Sequence, residues 1–233
     1  MSKTMGITAI AMLLFLLTAG PAYAAQRGAR QPPSAPQRLF SMTMQNEMRS
    51  SLTQSAVTTP NVDLQLYGDG GDIIVATGTN AYLPRLFFGL CRGPCGFTLR
   101  DRDNNFDLRG RARIRLTTIV SGFHLVRPII KLADGTLLIA DQAEGSTADW
   151  HQVDISFRDC RWLRLDPLRG VTLGGTWVEP DLSQVEEVGY FDVIPGSGAW
   201  ADENLPVEQQ PAPPAGGWIA VSDFELWGTP VPR

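Results

Sequence analysis

The sequence predicts an all-β, two-sheet antiparallel sandwich with only minor short helices, and three observations carry that reading. The chain places 23 glycines and 17 prolines among its 233 residues, so turn formers interrupt it too often for a helix bundle. Apolar and polar residues alternate from Ala112 to Thr117 and again from Gln152 to Phe157, the period of a half-buried strand. Between two apolar runs, Asp134-Gly135 has the composition of a two-residue hairpin turn, which makes the flanking strands antiparallel neighbours. No strand alternates with a long helical stretch, which sets a doubly wound α/β fold aside.

The elements follow in chain order. Residues 1–24 read as a secretory signal: Lys3, an apolar stretch from Ile7 to Leu17, then Gly20-Pro21 and the small-x-small end Ala22-Tyr23-Ala24. The apolar stretch is about half of the roughly 20 residues that a spanning helix needs. No later segment is suited to span a membrane either, so the expectation is a secreted or periplasmic protein. Residues 25–38, rich in Gln, Arg, Pro and Ser, read as a flexible N-terminal segment. The remainder, 39–233, reads as a single sandwich domain. Gln45 to Leu52 has the pattern of one short helix. Strands are expected at Val62–Tyr67, Ile73–Ala76, Leu86–Gly89, Phe97–Arg100, Ala112–Val120, His124–Leu132, Thr136–Ala140, Gln152–Phe157, Trp162–Asp166, Val188–Ile194 and Trp218–Trp227. A Pro-rich stretch, 205–217, reads as a long loop before the closing strand.

Charge and cysteine content narrow the function classes. With 20 basic against 24 acidic residues there is no cationic excess for a phosphate backbone, and no nucleic-acid motif is present. The charge is unevenly spread: 85–169 holds 14 basic and 10 acidic residues, and 170–233 holds one basic and 10 acidic. Cys91, Cys95 and Cys160 leave room for one disulfide in an exported protein, and the pairing is open. Three residues separate Cys91 from Cys95, which is not a CxxC, and His124 and His151 are the only histidines, so a zinc reading is weak.

From about Phe97 onward the order of elements resembles galactose-binding-like jelly-roll sandwiches, the domains that include many carbohydrate-binding modules. The resemblance rests on Asp107-Leu108-Arg109-Gly110 before a strand, Trp150 to Ile155 followed by Asp159-Cys160-Arg161-Trp162, Pro180 to Tyr190, and the closing Ile219 to Leu226. It implies a jelly roll and raises the expectation of ligand binding without fixing it. The Pro-rich insertion and the N-terminal half depart from the pattern.

Sugar faces pack on indole rings while hydroxyls meet neighbouring polar groups. On that ground Trp150, Trp177 and Trp200, each beside turn residues, are candidate stacking groups, with His151 beside Trp150. Trp162, Trp218 and Trp227 read as core. Arg109, Arg111, Arg113 and Arg115 share one parity, so Arg113 and Arg115 would line one strand face, able to meet anionic groups of a polysaccharide. The competing reading is an ordinary solvated face. Asp101, Asp103, Asn105 and Asp107 offer oxygen-bearing side chains at alternate positions. However, Phe106 and Ala112 stand where an EF-hand needs Gly and Glu. A structural calcium there is implied only by the resemblance, and a plain turn at Asn104-Asn105 is the alternative.

The expected function is exported, non-catalytic recognition of a glycan or cell-surface polysaccharide. One alternative is a polysaccharide-degrading enzyme, a hydrolase or lyase, using Glu179 with Asp181 or Asp192 as its carboxylate pair. The other is an envelope protein whose partner is another protein.

Overall fold

The computed structural model describes residues 35–43, 50–76, 84–196 and 217–233. The expected signal segment, Trp200 and the Pro-rich stretch up to residue 216 lie outside them. The fold is an antiparallel β-sandwich of two sheets that share one long strand. One sheet contains β1 (Gln37–Thr43), β2 (Ser50–Ser51), β4 (Ile74–Ala76), β5 (Arg85–Phe87), β8 (Arg113–Gly122), β11 (His151–Ser156) and most of β15 (Gly217–Pro232). The other contains β3 (Val62–Gly68), β6 (Cys95–Asp101), β7 (Asn104–Asp107), β9 (Arg127–Leu132), β10 (Leu137–Ala140), β12 (Trp162–Asp166), β13 (Val171–Val178) and β14 (Val185–Asp192). The tail of β15, Thr229 to Pro232, crosses to pair with β7. We call them the first and second sheets.

Strand alternation builds the core. Ala112, Ile114, Leu116 and Val120 are buried, while Arg113, Arg115, Thr117 and Ile119 of β8 point away from the core. The other sheet contributes Phe97, Phe106, Val188 and Tyr190, and the rings of Phe40, Phe97, Phe106, Tyr190 and Phe224 touch in a chain with centroids 4.8 to 6.1 Å apart. Trp162 is core as expected, stacked on Phe157.

The second sheet curls. The turn after β12 meets the end of β3 around Pro94: a Cβ on Gly68 would collide with the Pro94 carbonyl, and one on Gly170 with the Pro94 ring. Both glycines have positive φ, which few other residues adopt. The Cys91–Cys95 disulfide closes the turn that carries Pro94, and the Pro94 carbonyl accepts a hydrogen bond from the Asp69 amide at 2.9 Å. The curl encloses a second apolar cluster of Ile129, Leu137, Ile139, Leu165 and Phe191.

Several expectations are corrected. Of the expected helix Gln45 to Leu52, residues 45–49 lie outside the described residues and Ser50 and Ser51 form a strand; the described residues contain only 3₁₀ turns, at 54–56, 70–72 and 157–159. Gln37 and Arg38, read as flexible tether, begin β1 because β15 offers them a partner. Asn104 to Asp107, read as a turn or cation loop, is β7, and Val171 to Val178, with Trp177, is β13 rather than loop. The β9–β10 turn has three residues: the Leu132 amide bonds the Thr136 carbonyl at 2.9 Å, and Gly135 closes it at φ 86°. Trp218 and Trp227 stand on the outer face of the first sheet and are half-buried, not core, because their register partners Ser121 and Arg113 point outward.

A candidate glycan-binding cleft at the sandwich edge

Among the described residues, β11 pairs only with β8 and so forms one margin of the first sheet. Two connections cross here between the sheets: the strap 141–150, from β10 to β11, and the 3₁₀ turn 157–159, from β11 to β12. Backbone bonds hold the strap, Val126 and Glu144 exchanging amides and carbonyls at 2.9 and 3.1 Å. Between strap, turn and strand lies a cleft of about 190 Å³, lined by Gln142, Glu144, Val153, Asp154, Ser156 and Asp159 among others. That volume is below the roughly 300 Å³ at which a pocket encloses a whole drug-sized ligand, so it suits one ring or side group of a longer ligand.

Ion pairs orient the polar side chains of the cleft. Asp154 receives Arg115 in a two-pronged bond, Nε and Nη2 at 2.8 and 3.0 Å, and Arg113 Nε lies 3.6 Å away. The Arg115 bond, with the charges of both arginines, holds the Asp154 carboxyl below the usual carboxylate range, so it remains an acceptor at neutral pH. Arg113 also lies over the Trp227 ring at 4.5 Å. Trp227 Nε1 donates to Glu225 at 3.1 Å, and Glu225 pairs with Arg38 at 3.1 Å. Arg113 and Arg115 thus share a face, as their spacing predicts, and both engage an acid of the neighbouring strand. Arg109 is likewise held by Asp107, at 2.9 and 2.7 Å.

At the other end of the cleft, His151 Nε2 meets Glu144 Oε1 at 3.1 Å. Asp149 instead accepts the Trp150 amide at 2.7 Å. Trp150 packs on a small cluster of Ile74, Ala76, Phe87 and Ala220, together with Trp218. At the start of the strap, Asp141, next to Gln142, binds the Arg161 amide and Nε at 2.7 and 2.8 Å. The Arg161 guanidinium then lies 4.3 Å from the centroid of the Trp177 ring, a cation–π contact. Trp177 remains 46% exposed, so part of its indole is open to solvent. Asp141, Arg161 and Glu144 carried no sequence signal, because their partners are set by the crossing of two sheets.

Each of the four candidate calcium ligands has a protein partner. Asp101 Oδ1 accepts the amides of Asp103 and Asn104 and the Asn104 side chain, while Asp107 uses both oxygens on Arg109. Asn105 Nδ2 donates to Gln184, and Asp103 Oδ2 accepts from Asn61. No group of three or more potential ligands from His, Cys, Asp and Glu gathers among the described residues. Of the proposed carboxylate pair, Asp192 is buried on His124 at 2.6 Å, and Asp181 accepts the Ser183 amide at 2.9 Å in a turn. Cys160 is left free, and burial, with Asp141 and Asp159 nearby, pushes its thiol up to about 12.

No protein-family model matches the sequence, and no curated protein does. Solved structures do match. The chain is similar to the family 11 carbohydrate-binding module of the cellulosomal cellulase Lic26A-Cel5E of Clostridium thermocellum, with 12% identity over 83% of this chain and 95% of that one, TM-score 0.39. It is also similar to a family 11 module from Clostridium thermocellum in complex with a β-1,3-1,4-mixed-linked tetrasaccharide, with 13% identity over 79% and 98%, TM-score 0.35. A solution structure of such a module matches at 10% identity over 81% and 95%, TM-score 0.36. These neighbours are carbohydrate-binding modules, the type of domain that the sequence resembles, and at these scores the likeness assigns no role to any single residue.

Proposed function

We propose that this protein is an exported, non-catalytic glycan-binding module that receives a sugar unit at the edge cleft between the strap 141–150 and β11. One observation carries the reading. A half-exposed indole, Trp177, lies on Arg161, which Asp141 at the start of the strap holds, and the polar groups of the cleft are themselves fixed in place, His151 pairing with Glu144 and Arg115 holding Asp154. Preorganised acceptors lose little freedom on meeting hydroxyls, and an indole offers a flat apolar face to sugar C–H groups. The lining carries Glu144, Asp154 and Asp159 and no basic side chain, so hydroxyl-rich neutral polymers suit the cleft better than uronates.

The test is retention of the purified protein on immobilised polysaccharides, neutral and uronate-bearing, with calcium and with chelator. Retention by one polymer class that drops at least tenfold in Trp177→Ala and in Asp154→Ala, with folding intact, supports the module. Loss of retention in chelator would add a metal to the site. Depolymerisation of the bound polymer would make the protein an enzyme. Retention by nothing on the panel would overturn the reading in favour of a protein partner.

A further inference from the structure

The edge cleft touches four consecutive residues of β11, Val153, Asp154, Ile155 and Ser156. Successive side chains of a strand point to opposite faces, so a space that meets all four lies against the strand's edge and reaches its backbone. The pairing with β8 decides which groups that edge offers. The Phe157 amide donates to the Ala112 carbonyl at 3.3 Å, and on the same margin the Thr147 amide donates to the Val120 carbonyl at 2.9 Å. Even-numbered residues from Ala112 to Val120 therefore direct their amides and carbonyls toward β11, where Val153 and Ile155, the register partners of Leu116 and Ile114, bond them. Asp154 and Ser156 then turn theirs outward. The Ser156 carbonyl bears this out by accepting the Cys160 thiol, 3.4 Å away beside the turn 157–159. Among the described residues, no other segment bonds the Asp154 carbonyl or the Ser156 amide, and both face the cleft.

Two walls and a floor define what fits there. One wall is this strand edge, and the other is the strap, with Gln142 and Glu144. Ala143, Val153 and Ile155 supply apolar lining, the last two as core-side residues at the rim of the sandwich. A trans secondary amide points its N–H and its C=O in opposite directions, so it bonds an outward backbone group on one wall and a polar side chain on the other. A methyl group on its carbonyl carbon meets the apolar lining, which a hydroxyl cannot use. An added peptide strand fits poorly. Glu144 crosses the edge at His151, and Cys160 takes the Ser156 carbonyl, so the open stretch is shorter than the roughly five residues of an ordinary strand.

Resting on the glycan-binding reading of this cleft, we propose that the sugar unit it selects is a 2-acetamido hexose, recognised by its acetamido group. The acetamido carbonyl accepts the outward Ser156 amide, and its N–H is directed at the strap. Its methyl lies against Ala143, Val153 and Ile155, and the neighbouring ring hydroxyl donates to the Asp154 carbonyl.

The test is calorimetric titration of the purified protein with three tetrasaccharides of the same linkage, built of N-acetylglucosamine, glucosamine or glucose. The acetylated tetramer should bind roughly tenfold to thirtyfold more tightly than the other two, the worth of one hydrogen bond and one buried methyl group. Proline suits position 156, at φ −84° on an edge strand, so Ser156→Pro removes the outward amide and keeps the pairing with β8. It should lower the affinity for the acetylated tetramer to that for the glucose tetramer, and Ala143→Leu, which fills the apolar lining from the strap, should do the same. Equal or tighter binding of the glucose tetramer, or binding of none of the three, would overturn the inference, while the polysaccharide panel reads separately whether the cleft binds glycan at all. Tighter binding of the glucosamine tetramer would mean that the carboxylates draw in an ammonium group, and would overturn it too. So would an equal affinity for an N-acetylated dipeptide, which offers the amide without the ring, or an acetyl preference that survives both variants.

Discussion

His124 and Asp192 meet in the interior, Nδ1 to Oδ2 at 2.6 Å, with both side chains essentially inaccessible to water. The second Asp192 oxygen accepts the Ile194 amide at 3.0 Å, so the carboxylate has partners on both oxygens. Taking away one member strands the other in a medium that cannot solvate it. His124→Ala should therefore cost about 3–5 kcal/mol, whereas replacing both by apolar residues of similar volume should recover much of the loss. Urea unfolding of the two single variants and the double variant measures this. Additive losses would show that the two groups are independent.

Trp150 illustrates how a residue expected at a binding site can serve packing. It caps the cluster of Ile74, Ala76, Phe87 and Ala220 on the outer face of the first sheet. Trp150→Ala should lower stability by about 2 kcal/mol, less than the roughly 3–5 kcal/mol of a fully buried indole because the ring is half-buried. Glycan retention should stay unchanged. A variant of native stability that no longer binds sugar would place Trp150 in the binding site.

The strands that bury one face announced themselves through period: Trp162 to Asp166 is found at its expected bounds, and the alternation of β8 survives along its whole length. Those that escaped notice lack that signal. The last strand before β14, β13, is exposed along nearly all its length and interrupted by Gly174-Gly175, which reads as turn chemistry, and β7 is written in Asn and Asp. Their strand character comes from a partner elsewhere in the chain. The candidate site is less legible for the same reason. The spacing of Arg113 and Arg115 predicts a shared face, but Arg115's partner Asp154 lies 39 residues on, and His124's partner lies 68 on. Composition left the cysteine pairing open, and the Cys91–Cys95 bond follows from a turn that only the folded chain defines.

That disulfide closes a very short loop, with three residues between its cysteines. The chain-entropy cost of so small a loop is correspondingly modest, about 2 kcal/mol. Its turn also carries Pro94, on which the ends of β3 and the β12–β13 turn converge. Cys91→Ser with Cys95→Ser should thus lower stability by about 2 kcal/mol, and hydrogen exchange should quicken first at Asp69 and Gly170. Unchanged exchange at both amides would separate the disulfide from the curl of the second sheet.

Acid should loosen the second sheet through Glu187. This side chain is 1% exposed and accepts bonds from Thr98 at 2.6 Å and from Tyr67 and Lys131 at 2.7 Å. Burial alone would raise its pKa, but the bonds from Lys131, Thr98 and Tyr67, with the Lys131 charge, bring it below the usual glutamate value. A carboxyl depressed in the folded state contributes stability that is fully present above its unfolded pKa, near 4.5, and is lost as pH falls through the folded value. Unfolding free energy should stay level near neutrality and decline below about pH 4.5. Asp154, Asp107 and Asp141, also depressed, add to the decline. Glu187→Gln keeps the shape but loses the charge facing Lys131, so it should be less stable at neutral pH by about 3 kcal/mol and show a shallower acid slope. Urea unfolding of both proteins from pH 3 to pH 7 measures the two slopes, and parallel slopes would mean that Glu187 does not couple proton uptake to unfolding.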